Sequence, residues 1–242
     1  MSDPIDNSMN KPADSLLIEY MTMRKMIGWL GLSLPFILII GSLLVDGQAM
    51  HRSISQYYHS SMQNIFVGVL FAQAVFLFAY RGYKFNPDKP GHNFFIRLSD
   101  NAAGNIAATA ALGTALFPTT QCAPGQTCTT TVTSAIHWGS ATLFFLTLAY
   151  ICLCLFVQSG EIVPSIQKKK RNRTYKICGT IMLLAMALMG VKAALPVDIQ
   201  TTLEAYHPIF WLETAAILAF GFSWLVKGEW IFADIPQREK ES

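Results

Sequence analysis

"MIGWLGLSLPFILIIGSLLV", residues 26–45, runs for twenty positions without a charged side chain. An α-helix rises about 1.5 Å per residue, so roughly 20 apolar residues cover the ~30 Å hydrocarbon core of a bilayer. The 25 residues before it are polar, and the run is longer than a cleavable leader's apolar stretch, which predicts an uncleaved first span. Pro35 sits inside it. Its effect is a kink, or a gap in the hydrogen-bond ladder that neighbouring helices absorb.

Five further apolar segments follow at about 62–80, 101–117, 134–157, 175–195 and 209–226. Lipid offers the backbone no hydrogen-bond partners, so segments of this length must be helices. They show no period-two alternation, which excludes an outer-membrane barrel. Composition agrees: 52% of the 242 residues are apolar and 14% are charged, against about 25% charged in a soluble domain. A formal charge of +3 gives no reason to expect a nucleic-acid partner. The predicted fold is all-α, an integral membrane six-helix bundle. Residues 1–25 form a polar, partly disordered tail, amphipathic near its end along the interface. Residues 26–228 form the six-span domain, and 229–242 a second tail.

Orientation follows from Lys and Arg, which concentrate on the cytoplasmic side. The N-terminal tail carries Lys11, Arg24 and Lys25, and the second loop Arg81, Lys84, Lys89 and Arg97. The fourth loop, "QKKKRNRTYK", and the C-terminal Lys227, Arg238 and Lys240 complete the set. Only Arg52 falls on the other side, and Lys192 lies within a span. N- and C-termini are therefore expected to be cytoplasmic, in a multi-pass protein of a bacterial inner membrane. The bilayer is its partner, with anionic lipid at the basic loop 168–176; oligomeric state is not readable. Cys122 and Cys128 share an outward loop with Pro and Gly between them, and an oxidising periplasm would let them form a disulfide. Cys152, Cys154 and Cys178 read as small apolar residues of spans.

"SISQYYHSS", residues 53–61, stands on the outward side, before the second span. His59, His137 and His207 each fall where a span begins on that side. Neutral imidazoles are common metal ligands, and three of them plus water would make a catalytic zinc site. Alternatively, His137 and His207 would be the axial pair of a haem b. The favoured reading needs neither cofactor. It is a site binding or passing a small polar or lipid-headgroup ligand, with Ser53, Ser55, Tyr57, Tyr58 and His59 at its mouth. His137, His207, Glu213 and Lys192 stand behind. Whether the protein is an enzyme stays open. Lys192 and Glu213, on consecutive spans, are expected to pair, because neither should face lipid alone.

Structural readings stand beside these. Ser60 with Gln63 fits a capping box, and His207 before Pro208 fits a helix cap. Gln73 suits a bond to a neighbouring helix. Ala103, Ala107, Ala111 and Ala115 form a small-residue stripe that predicts a closely packed, central third helix.

With "YRGY", "ALFPT", "AIHWGSATLFFLTLAY", "RNRTYKICG" and "FWLETAAILAFGFSWLVKGE", the block "SISQYYHSSMQNIFVG" resembles an uncharacterised family of bacterial six-helix inner-membrane proteins. The resemblance covers most of 27–229 and implies a helical bundle without an assigned activity. Ser55 and His59, spaced S-x-x-x-H, are also locally similar to alkaline ceramidase and adiponectin-receptor hydrolases, which implies a metal-dependent lipid hydrolase. Only those two positions carry over. Trp211 stands where the second histidine of the last-helix pair would follow His207, and the nearest aspartate, Asp100, falls on the opposite side.

Overall fold

The computed structural model describes residues 11–48, 50–82, 98–121, 130–158 and 164–234, with the backbone alone for 11–17. Cys122 and Cys128, and with them the expected disulfide, lie outside the described residues. Among the described residues the chain is all-helical. The α-helices are α1 (Lys11–Asp46), α2 (Gln63–Ala79), α3 (Asp100–Leu116), α4 (Val132–Tyr150), α5 (Ile166–Ala194), α6 (Val197–Glu204) and α7 (Pro208–Lys227). A 3-10 segment occupies Ile54–His59, and a π-helical turn, Ile151–Leu155, prolongs α4. Four stretches are long and apolar enough to cross a membrane: Ile18–Asp46, Val132–Leu155, Ile166–Ala194 and Pro208–Lys227. Gln63–Ala79 is apolar but shorter.

Local chemistry sets where the helices begin. Ser99 caps α3 by accepting from Ala102 N, and Ser165 caps α5 by accepting from Lys168 N. Thr131 and Ser134 form a reciprocal capping box at α4. These oxygens satisfy backbone donors that have no intrahelical partner. His207 is the cap residue of α7 as expected, in a left-handed conformation (φ 49°), with Pro208 in the first turn. The capping box expected at Ser60 and Gln63 is absent. Met62 caps α2 without a side-chain bond. Ser60 Oγ instead donates to Tyr57 O and accepts from Met62 N, because the chain enters α2 through the 3-10 segment. Pro35 is absorbed within α1, which stays continuous through it.

One reading of a helix limit needs correction. The basic stretch 168–176 is not a loop but the first turns of α5. Arg171, buried within it, donates to Phe232 O and Asp234 Oδ2, which ties α5 to the chain beyond α7. The segment before the first span is the start of α1 itself.

The helices contact one another in a closed circuit: α1 on α2, α2 on α3, α3 on α4, α4 on α5, α5 on α7 and α7 on α1. The alanine stripe of α3 is fully covered. The main partners of α3 are α2 and α4, so it is one member of the circuit rather than a central helix. The tight contact that sequence reading missed joins α1 to α7. A Cβ on Gly221 would stand 2.6 Å from Leu32 N and 2.8 Å from Gly28 O, and one on Gly28 would stand 2.7 Å from Leu225 Cδ2. Only glycine lets the two backbones approach this closely.

The bundle has two chemically distinct ends. At the basic end, Arg24 reaches Lys227 O and Tyr80 Oη donates to Asp100 Oδ2. An aromatic nest of Tyr20, Tyr80, Phe156, Tyr175 and Trp224 fills the space between them. At the opposite end, the cap end, the chain after α1 folds across the bundle as the 3-10 segment, and the short α6 precedes α7 in the chain. Each alternate connection therefore returns to the same end.

Candidate functional site

The 3-10 segment is held by Ser53, whose side chain accepts from Gln56 N. Gln56 Nε2 donates to Thr119 Oγ1 and Thr120 O. His59 Nε2 lies 2.7 Å from Thr119 O. A carbonyl only accepts, so that nitrogen carries the proton. These bonds pin "SISQYYH" over the end of α3. Ser61 and Ser42 bind Asp46 Oδ2, closing the turn back onto α1.

Beneath the segment, two polar side chains from different helices meet it. His137 Nδ1 is 2.7 Å from Phe117 O, and its Nε2 is 2.9 Å from Ser55 Oγ. The carbonyl fixes the proton on Nδ1, so in the neutral ring Nε2 accepts from the Ser55 hydroxyl. Glu213 Oε2 accepts from Ile54 N at 2.6 Å. Its carboxylate also receives a backbone bond from Ser55. Two consecutive residues, Ile54 and Ser55, are thus gripped from α4 and from α7.

Ser55 and Glu213 line a cavity of about 50 Å³, together with Thr114 of α3 and Gln73 of α2. Its remaining walls are apolar side chains of α1, α2, α4 and α7. Gln73 stands about 15 Å along α2 from its start, so the cavity reaches from the cap towards the middle of the bundle. Gln73 Nε2 donates to Ile27 O, the expected bond to a neighbouring helix. Its Oε1 is buried without a hydrogen-bond partner.

Several site expectations are corrected. Lys192 pairs with Glu204, not Glu213, and Arg52 lies 3.9 Å from the same carboxylate. Gln200 Nε2 donates to Ala193 O and Leu195 O, which holds α6 to the end of α5 with Glu204 within reach of Lys192, whereas Glu213 is turned to the 3-10 segment. Among the described residues no three His, Cys, Asp or Glu side chains are grouped to hold a metal ion. His59, His137 and His207 are not among any such grouping. Both nitrogens of His137 take part in hydrogen bonds, with Phe117 O and Ser55 Oγ. His207 Nδ1 is buried without a partner, at the cap of α7.

Tyr57 does not line a mouth. It is fully buried between His51, 4.5 Å away, and Phe210, and burial pushes its phenol up to about 12. Tyr58 packs its ring edge-on against His59, 5.4 Å apart. The sequence pointed to Ser55, His137 and Glu213 and assigned Gln73 only a bond to a neighbouring helix; it placed neither Gln73 nor Thr114 beside Ser55 and Glu213. Depth along separate helices carries no signal in a linear pattern.

Among the described residues the chain is all-helical, with four helices long and apolar enough to cross a membrane, the make-up of a helical membrane protein. The model of the Family of unknown function (DUF7103) matches residues 34–228, and the chain belongs to that family. No curated protein and no solved structure matches the chain.

Proposed function

We propose that this is a multi-pass inner-membrane protein of bacterial type that binds or passes a small polar ligand through the cavity under the 3-10 cap. In this reading α1, α2, α3, α4, α5 and α7 each cross the bilayer, and both termini are cytoplasmic. Alternation of the connections between the two ends supports six crossings. At 17 residues each, α2 and α3 reach the lower limit of a spanning helix. The positive-inside rule places the basic end, with Arg24, Arg81 and Arg171, in the cytoplasm. Lys169, Lys170, Arg173 and Lys176 are exposed on the first turns of α5, where they suit anionic headgroups. The cap then faces outward.

The observation that carries the ligand reading is the composition of the cavity. A carboxylate, a hydroxyl pair and an unpartnered amide oxygen converge inside an otherwise apolar bundle. Buried polar groups are costly unless paired, and this set has capacity to spare. The volume suits a molecule of one or two heavy atoms beyond water, which favours a small ligand over a lipid headgroup or an acyl substrate.

The test uses single cysteines in a background lacking the native five. Thr130→Cys is expected to react with a membrane-impermeant thiol reagent added outside, and Ser165→Cys only after permeabilisation. Ser55→Cys is expected to react with a small permeant reagent and to be protected by a bound ligand. Cytoplasmic labelling of Thr130→Cys would reverse the orientation. Inertness of Ser55→Cys towards every small reagent would remove the ligand reading.

A further inference from the structure

We infer that the cavity is a site for one small monovalent cation, of the sodium, potassium or ammonium class, with Glu213 as its charged ligand. This rests on the proposed ligand reading and names its chemistry. Each polar side-chain oxygen lining the cavity keeps acceptor capacity. Glu213 receives only backbone N–H donors, from Ile54 and Ser55, and a carboxylate has lone pairs left after two such bonds. Thr114 spends its hydroxyl proton on Ala110 O, and Ser55 spends its own on His137 Nε2. Both oxygens keep lone pairs. Gln73 donates one amide N–H to Ile27 O, and its Oε1, in a residue 2% exposed, has no partner.

The cavity's lining holds no Lys, Arg or His side chain. Glu213 makes no ion pair among the described residues, since Lys192, its expected partner, is taken by Glu204. A carboxyl group in an apolar surround takes either a proton or a positive partner, because an uncompensated buried charge is strongly unfavourable. Oxygen ligands select hard cations. Calcium wants six to eight oxygens, several from carboxylates, and magnesium holds its waters tightly. One carboxylate with neutral oxygens in about 50 Å³ therefore matches a single positive charge. The cation is held at the Glu213 and Ser55 end, and the Gln73 oxygen is the deeper acceptor along the same slot.

The experiment measures thermal unfolding of the purified full-length protein in nanodiscs, titrated with sodium, potassium or ammonium chloride. Choline chloride replaces each salt so that ionic strength and chloride stay constant. The expected result is a saturable rise in unfolding temperature with at least one of the three cations, and separate curves identify which. Glu213→Gln keeps the shape and the acceptor oxygen and is expected to abolish the response. Gln73→Leu is expected to raise the half-saturating concentration about tenfold, and magnesium chloride should give no saturable shift. If Glu213→Gln does not fold, saturable one-to-one binding by calorimetry on the unaltered protein decides. Identical curves in choline and in all three cations overturn the inference, as does an unchanged response in a folded Glu213→Gln protein. In either case protectable labelling of Ser55→Cys would leave the wider ligand reading standing. Loss of that labelling removes both.

Discussion

Gly221→Ala tests whether the α1–α7 contact is as close as the backbone positions indicate. In an unhindered helix, alanine is favoured over glycine by about 0.5–1 kcal/mol, through lower entropy loss. At Gly221 the added Cβ would lie 2.6 Å from Leu32 N and 2.8 Å from Gly28 O. Both are backbone atoms within helices, so relief requires moving α1 away from α7. Overpacking of this kind costs about 1–3 kcal/mol, which outweighs the propensity gain. The net expectation is destabilisation of roughly 1–2 kcal/mol. Gly190 on α5 supplies the internal control, because a Cβ there meets nothing within 4 Å; Gly190→Ala should be neutral or slightly stabilising. Reversible denaturation of both variants in mixed micelles, followed by far-UV circular dichroism, measures the pair. A Gly221→Ala protein as stable as Gly190→Ala would refute the close approach of the two helices.

Ser55→Ala removes the donor to His137 Nε2 and leaves a buried ring nitrogen unpaired, for an expected loss of about 1–3 kcal/mol; denaturation midpoints measure it. Charge reversal at Glu204 should destabilise, and reversing Lys192 as well should restore part of the loss. A double-mutant cycle reads the coupling, and zero coupling would show that the pair contributes nothing. At the basic end, the hydrogen bond from Arg171 holds the Asp234 carboxyl below its ordinary value of 3.8. A depressed folded value contributes stability that is present above that pH and lost as pH falls through the folded value. Asp234→Asn should therefore flatten the acid limb of stability below about pH 4, in unfolding curves recorded from pH 6 to pH 2.

Much of the fold could be read from the chain because membrane helices obey a local rule. A run of about 20 apolar residues must satisfy its own backbone, so "MIGWLGLSLPFILIIGSLLV" announces its helix without reference to any neighbour. The alanine stripe at 103, 107, 111 and 115 likewise carries its burial in its spacing. Where two local rules competed, the sequence was ambiguous. "QKKKRNRTYK" is charged enough to read as a loop, yet Ser165 caps it and straight-chain basic residues are good helix formers. The short α6 escaped notice because eight residues are too few to register in a span-length window.

What tertiary structure alone decided is which polar groups meet. The sequence placed Ser55, His137 and Glu213 at one level of the bundle, because each sits near a span end. It could not determine that the backbone of Ile54 would reach the Glu213 carboxylate, or that Lys192 would turn to Glu204. Those pairings depend on helix rotation and on the path of short connections. A rotation of 100° per residue carries a side chain from one neighbour to the next. The cavity is of the same kind. It exists where five helices and a 3-10 segment fail to fill the space between them, and that is a property of the packed assembly rather than of any one stretch of chain.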